Sequence, residues 1–497
     1  MRPSLLLFAL ISILPAASSV SAEQLSLTLK DSIRMAVEKN LDVRAELYNP
    51  AQFEAEINRN RSIYDPQLSL KTEYTDSTIS PIGSATSGKV TESQSFLLNS
   101  SISRLLWTGA SASINFNNSY TGSNSSQSMP NYWQTGLGAS ISQPLLKNAG
   151  RDATEIAINV SRLSKFASLE RFNARLLSTV VQVRTEYFRL HSLLEERDVK
   201  KVSLELARKI LEDTKARVKA GVLPAMEILN AEFGSVSREK ELIDAELAVK
   251  DQVDVLRLLL QIEDKNTELR LTDLPSRELL NTDENYAIRM ALERPDIREQ
   301  KRNLEISELQ TRVFSSKTRP DLSLNASASL TGNDSTYNGN LDKVVTFDYP
   351  VWSVGLNFVY PLGNRAAEND YRKSRLKTEQ TALQIRSLEE NAAKEVRAAI
   401  RGIATGYKQI EVTDRGRAFA EERLRAFIRK NEVGLATTKE VLDVENDLAV
   451  SKSNQIKAVV GYANALTRYW QVTGELLDRE GIRVVEGDAD KLYSATR

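Results

Sequence analysis

The chain has 497 residues, with 66 Lys and Arg against 66 Asp and Glu, one histidine and no cysteine. Balanced charge excludes the basic excess of a nucleic-acid binder. The missing cysteine excludes thiolate zinc sites, disulfides and a lipid anchor on an N-terminal cysteine.

From the N-terminus, Arg2, an apolar run from Leu5 to Leu14 broken only by Ser12, and Val20-Ser21-Ala22 read as a signal peptide over 1–22. No later run is long and apolar enough for a transmembrane helix. Passage into a membrane therefore requires a closed β-barrel.

The remainder is written twice. Ile33-Arg34-Met35-Ala36 returns as Ile288-Arg289-Met290-Ala291, and Pro66-Gln67-Leu68 as Pro320-Asp321-Leu322. Gln143-Pro144-Leu145 then returns as Tyr360-Pro361-Leu362, and Gly221 with Glu227-Ile228-Leu229 as Gly434 with Glu440-Val441-Leu442. The spacing between copies falls by about 37 residues between Pro66 and Pro144, which places an insertion in the first copy. Ordered matches of this kind mark an internal repeat.

The first repeat covers 23–265: an opening helix, strands at about 66–143, a long helix at 152–219 and a returning helix at 225–262. The second covers 266–478: an opening helix, strands at about 321–360, a long helix at 366–431 and a returning helix at 438–473, with 479–497 as a C-terminal tail. Leu176, Val180, Val183, Tyr187 and Leu190 recur every three or four positions, the stripe of a helix packed along its length. Ala392, Val396, Ala399, Ile403, Tyr407 and Ile410 repeat it, with Gly402 and Gly406 allowing close packing. His191 sits among charged neighbours and reads as a solvated helix residue.

Between the prolines the period becomes two. Leu68, Leu70 and Tyr74 alternate with Ser69, Lys71 and Glu73; Ala112, Ile114 and Phe116 with Ser113 and Asn115; Trp352, Val354, Leu356 and Phe358 with Ser353, Gly355 and Asn357. Phe96 to Leu106 is a weaker segment, with Arg104 on its apolar side. One apolar and one small polar face, with aromatic ends, is the pattern of a membrane barrel around a wet lumen. Linkers 79–92, 121–131 and 332–349 read as long loops on one side, and Trp107-Thr108-Gly109-Ala110 as a tight turn on the other. Four to six strands cannot close a transmembrane barrel, whose smallest single-chain form has about eight. The chain is expected to share its barrel with copies of itself.

The duplicated plan, the proline-bounded strands, the glycine turns followed by Glu-Ile-Leu or Glu-Val-Leu, and Gln143-Pro144-Leu145-Leu146-Lys147-Asn148 resemble the TolC-like outer-membrane efflux protein family. The resemblance runs from about Leu25 to Leu477. It implies a mainly α fold, with a long periplasmic α-helical barrel and a transmembrane β-barrel shared by a homotrimer. It also implies docking onto a periplasmic adaptor protein and an inner-membrane pump, with outer-membrane lipid around the barrel. The family plan has four strands per subunit; here Phe96–Tyr120 adds a hairpin.

The resemblance further implies a periplasmic gate at Glu440 and Asp443, which share a helical face. It implies adaptor contacts at the turns Gly221-Val222-Leu223-Pro224 and Gly434-Leu435-Ala436-Thr437. No nucleophile with its base, metal cluster or phosphate loop is recognisable. No catalysis, cofactor or metal is expected. The reading is a passive export duct; a type I protein-secretion duct of the same fold and a secreted coiled-coil structural or adhesive protein are its rivals.

Overall fold

The computed structural model describes residues 24–79, 90–124, 131–264, 268–483 and 487–496. The signal-peptide reading and the centres of the first two long linkers lie outside them. The first copy opens with β1 (Gln24–Leu27), α1 (Leu29–Lys39) and α2 (Leu41–Arg61). The single opening helix is thus two helices. Thr28 caps the first, accepting from the Asp31 N–H at 2.9 Å, and Asn40 ends it with an extended ψ of 126°.

Strands β2 (Gln67–Ile79), β3 (Thr91–Leu105), β4 (Ser111–Ser123) and β5 (Asn131–Pro144) follow. After them come α3 (Arg151–Thr154), α4 (Ile156–Lys219) and α5 (Met226–Leu260). The long helix begins at Ile156 rather than 152 because Glu155 breaks the helical run after one turn.

The second copy opens with β6 (Glu268–Leu271), α6 (Glu284–Ala291) and α7 (Pro295–Lys317). Pro295 stands in the first turn of α7, where its missing N–H costs nothing. Then come β7 (Asp321–Asp334), α8 (Tyr337–Val345), β8 (Pro350–Val359), α9 (Arg365–Glu432) and α10 (Thr438–Thr473). Short helices α11 (Leu476–Arg479) and α12 (Gly487–Ala495) end the chain. No helix among the described residues is long and apolar enough to cross a membrane.

The residues pack as two compact units, and each takes segments from both copies. One holds the described residues up to Leu41, Ser178–Thr282 and Ala399–Gln471. Its core follows the expected stripes: Val180, Val183, Tyr187 and Leu190 of α4 are fully buried, as are Ile403 and Tyr462 on the second-copy helices. β1 and β6 pair in parallel, Leu25 opposite Leu269. The Tyr187 hydroxyl donates to the Leu27 carbonyl at 2.9 Å and accepts from the Thr272 and Asp273 N–H groups. Tyr462 does the corresponding work in the second copy, donating to the Glu278 carbonyl at 2.6 Å. Gly406 lets α9 approach it: a Cβ there would lie 3.3 Å from the Tyr462 ring. Gly402 has no such close neighbour.

The other unit holds Asp42–Leu177, Asp283–Ala398 and the residues from Val472. Among the described residues its six strands form one antiparallel sheet in the order β2-β3-β4-β5-β7-β8. The hairpin β3–β4 is therefore part of the sheet, in register from Ser93 opposite Ser123 to Leu105 opposite Ser111. Its turn is tight, with Gly109 at φ +87° and the Leu106 N–H donating to the Ala110 carbonyl at 2.7 Å. β5 pairs with β7, Leu137 opposite Leu330, and so joins the two copies. β2 and β8 are its edges. In the same unit, Lys165 is buried between the carboxylates of Glu54 and Asp490, which pins α12 to α2 and α4.

One linker reading is corrected. Residues 332–349 are not a plain loop but carry α8. Thr336 caps it by accepting from the Gly339 N–H, and the Asp334 carboxylate in turn accepts from the Thr336 N–H.

Candidate functional site

Two places carry the candidate functional residues: the sheet and the helix ends near Gly221 and Gly434. Side chains alternate across a strand, and the pairing register collects them into two unlike faces. One row reads Leu68, Ile102, Ile114, Ala139, Ala328 and Trp352 across all six strands. The leucine, isoleucine and tryptophan members of that row are exposed, Trp352 at 77%. The opposite face carries Ser69, Ser101, Asn115, Gly138, Ser329 and their neighbours. Hydroxyl pairs bridge its strands, Ser113 with Ser140 and Ser327 with Ser353, each at 2.8 Å. Arg104, the odd residue of the apolar face, donates to the Tyr64 carbonyl at 2.9 Å near the sheet end.

At the other place, α4 and α9 end alike. Gly221 and Gly434 adopt φ +75° and +76°, a left-handed region in which glycine carries no Cβ penalty. The next N–H groups close the helices, Val222 to the Arg217 carbonyl at 3.0 Å and Leu435 to that of Lys430 at 2.8 Å. Val222, Val433 and Leu435 are exposed, whereas Leu223 is half-buried. Arg217 donates to the Asn431 carbonyl at 2.8 Å, which sets the two turns side by side.

Glu440 and Asp443 are both exposed on α10, opposite buried Val441 and Val444. Glu440 also closes a capping box: its carboxylate accepts from the Thr437 N–H at 2.7 Å, and the Thr437 hydroxyl accepts from the Glu440 N–H at 3.2 Å. These hydrogen bonds, first the backbone one, hold the Glu440 carboxyl below its usual value.

Sequence reasoning missed Glu445, two residues past Asp443. It is buried, accepts from the Ser203 hydroxyl of α4, and accepts from Arg238 Nε of α5 at 2.9 Å. Arg238 also reaches Glu241 at 2.6 Å, and Lys200 reaches the same Glu241 at 2.7 Å. Three helices are thus joined through five polar side chains. The available signal was a carboxylate standing on the apolar stripe between Val441 and Leu448.

His191 corrects another expectation. It is half-buried, its Nδ1 has no hydrogen-bond partner, and burial lowers its pKa against the opposing effect of Glu195.

A sheet with one apolar and one polar face, in a chain with helices of 64 and 68 residues, is the make-up of a membrane-channel subunit. The family model for the outer membrane efflux protein matches residues 32–260 and 288–475, one match per copy. The Nodulation protein T of Rhizobium leguminosarum bv. trifolii is 23% identical over 351 residues, 69% of this chain and 70% of the relative. The CmeC outer membrane channel of Campylobacter jejuni is similar in fold, with TM-score 0.65 and 16% identity over 94% of this chain and 89% of that one. The MtrE outer membrane channel of Neisseria gonorrhoeae gives TM-score 0.59 and 18% identity over 90% and 88% of the two chains. The chain belongs to the outer membrane efflux protein family. Its function is that of the family, an outer-membrane efflux channel subunit.

Proposed function

We propose that three copies of this chain form a passive duct across the outer membrane, with the helices in the periplasm, a periplasmic adaptor at the helix ends and an inner-membrane pump behind it. The observation that carries this is the sheet: six strands with an exposed apolar face, a polar face and two edges. Six strands are too few for a hollow transmembrane barrel, whereas about eighteen leave an aqueous channel. Pairing β8 of one subunit with β2 of the next removes both edges.

Glu440 and Asp443 are the gate in this reading. Three subunits bring six carboxylates to one mouth, which attracts cations and repels anions. The exposed Val222, Val433 and Leu435 supply the apolar part of the adaptor contact. The test is mass measurement in detergent followed by conductance in planar bilayers. A trimer with cation-selective conductance is expected, and replacing both carboxylates with Asn abolishes the selectivity without changing the mass. A folded, membrane-inserted monomer overturns the assembly; unchanged selectivity in the double variant moves the gate elsewhere. Co-purification of the native complex identifies the pump, whose class separates small-molecule efflux from protein secretion.

A further inference from the structure

Helix α8 is not accounted for by a duct. It lies against the apolar face of the sheet, not the polar one. Gly332 belongs to that face, being in register with Thr135, and a Cβ on it would lie 2.2 Å from the Asn340 carbonyl. The row beneath the helix turns polar on this face, with Asn118 opposite Thr135 and Thr135 opposite Gly332. Asn340 of α8 resolves it. Its Oδ1 accepts from the Thr135 N–H at 3.2 Å and its Nδ2 donates to Thr135 Oγ1, which itself donates to Asn118 Oδ1 at 2.9 Å. All three side chains are buried. One row further along, Tyr120, Trp133 and Tyr337 form a cluster, tilted at the first contact and edge-to-face at the second, with ring centroids 5.0 Å apart at each step.

The end of α8 adds an independent observation. Phe347 adopts φ +60° and is 66% exposed. The Asp348 N–H donates to the Lys343 carbonyl at 3.3 Å, so Phe347 occupies the left-handed helix-ending position where glycine is favoured. A bulky residue there costs roughly 1 kcal/mol, and most of its surface stays exposed. Val345 and Tyr349 are exposed beside it.

We propose that α8 and the Phe347 turn form an interfacial anchor, lying in the boundary between acyl chains and headgroups of the surrounding membrane and fixing the depth of the wall there. The occupant of its outer surface is lipid. Aromatic rings favour that boundary, and the surface continues the apolar face that meets the acyl chains. Polar Asn118 and Thr135, which hydrocarbon could not satisfy, are shielded by the same helix. This rests on the reading of the sheet as membrane wall.

The chain has no cysteine, so single nitroxide labels test the proposal on the full-length protein in phospholipid vesicles. V345C and Y349C are compared with I114C on the apolar face and N115C on the polar face, using oxygen and a water-soluble nickel chelate as relaxants. The expected result is a lipid-boundary depth at 345 and 349, a deeper position at 114, and an aqueous signal at 115. An aqueous signal at 345 and 349 with a lipid signal at 114 overturns the anchor alone. Shielding from both relaxants at 345 and 349 also overturns it, because a protein surface then covers the helix. An aqueous signal at 114 overturns the membrane-wall reading itself. Phe347→Gly in the Y349C background separates anchoring from folding: thermal stability should hold or rise, while the label at 349 moves toward water. An unchanged depth in that variant removes Phe347 from the anchor.

Discussion

Helices α5 and α10 are the same element of a duplicated plan, 35 and 36 residues long, yet their surroundings are opposite. α10 buries Val441, Val444, Val459, Tyr462 and Ala463 among α4, α9 and the β1–β6 region. α5 buries Ala231, Val249, Leu256 and Leu260 but leaves Met226, Leu229, Phe233, Val236, Ile243 and Leu247 exposed, Phe233 at 79%. Those exposed positions follow the three-and-four spacing of a coiled-coil a/d seam, with Lys240 taking the place between Val236 and Ile243. Duplication copied the backbone but not the burial. In the proposed trimer, the seam on α5 is what a neighbouring subunit covers.

The largest expected effect comes from breaking that seam. Phe233→Glu together with Val236→Glu places two carboxylates where the proposed assembly is dry, each costing several kcal/mol if unpaired. Association should weaken by at least about a hundredfold, since each 1.4 kcal/mol is about tenfold. Mass measurement in detergent should then find monomer. Val450→Glu on α10, already 48% exposed, should leave the mass unchanged. If both variants stay trimeric, the open face of α5 is solvated and the comparison has no bearing on assembly.

Next in size is the link between the two helices. Arg238→Ala strands Glu445, only 4% exposed at its side chain, without its cation. Breaking one partner of such a pair costs about 3–5 kcal/mol. Hydrogen exchange of α10 amides around Val441–Ala449 should accelerate accordingly. Arg238→Met with Glu445→Gln should recover most of the protection, because no uncompensated charge remains. Equal losses in the single and double variants would mean that packing at Gly234, whose Cβ would meet Leu442 at 2.7 Å, holds the helices instead.

The starts of the helices differ too. Thr437→Ala removes the capping box of α10 and should cost about 1 kcal/mol. The capping position of α5 is Ala225, which has helical φ and ψ and makes no side-chain cap. Ala225→Thr should therefore change stability by no more than about 0.5 kcal/mol. The box also has a pH signature. Glu440 titrates below its ordinary value in the folded state, so its contribution is complete above the ordinary glutamate range. It is lost as pH falls through the lowered value. Denaturation of wild type and Glu440→Gln should converge at acid pH and separate above it.

The legibility of these features follows their range. Local periodicity revealed the α4 stripe through Tyr187 and Leu190, and alternation revealed the β3–β4 hairpin despite Arg104. The breaks at Asn40 and Glu155 were hidden because helix propensity continues across them; what stops the helix is one residue's backbone conformation. α8 was hidden by its composition, since Asn338-Gly339-Asn340 reads as loop until Gly332 and Thr135 supply a surface for it. Glu445 looked like another helix carboxylate because Ser203 and Arg238 lie over two hundred residues away. The exposed seam on α5 was legible as apolar spacing, but which return helix the chain would cover itself was not.

The smallest effect is the most local report on α10. His191 borders a cavity whose other walls include Ile456, Val459 and Val460 of α10, with Glu195, Arg277 and Arg417 as the charged groups around it. Burial lowers its pKa, and Glu195 only partly opposes the shift. As the sole histidine, it gives one imidazole titration by NMR, expected below the ordinary value. The sign follows from linkage: between the lowered and ordinary values the unfolded chain binds more protons. The contribution to stability is therefore complete above the ordinary value and declines as pH falls through the lowered one. Phe233→Glu/Val236→Glu should leave this titration in place, because the α10 side of the unit is packed by its own chain. A return to the ordinary value in that variant would show that α10 owes its packing to assembly as much as α5 does.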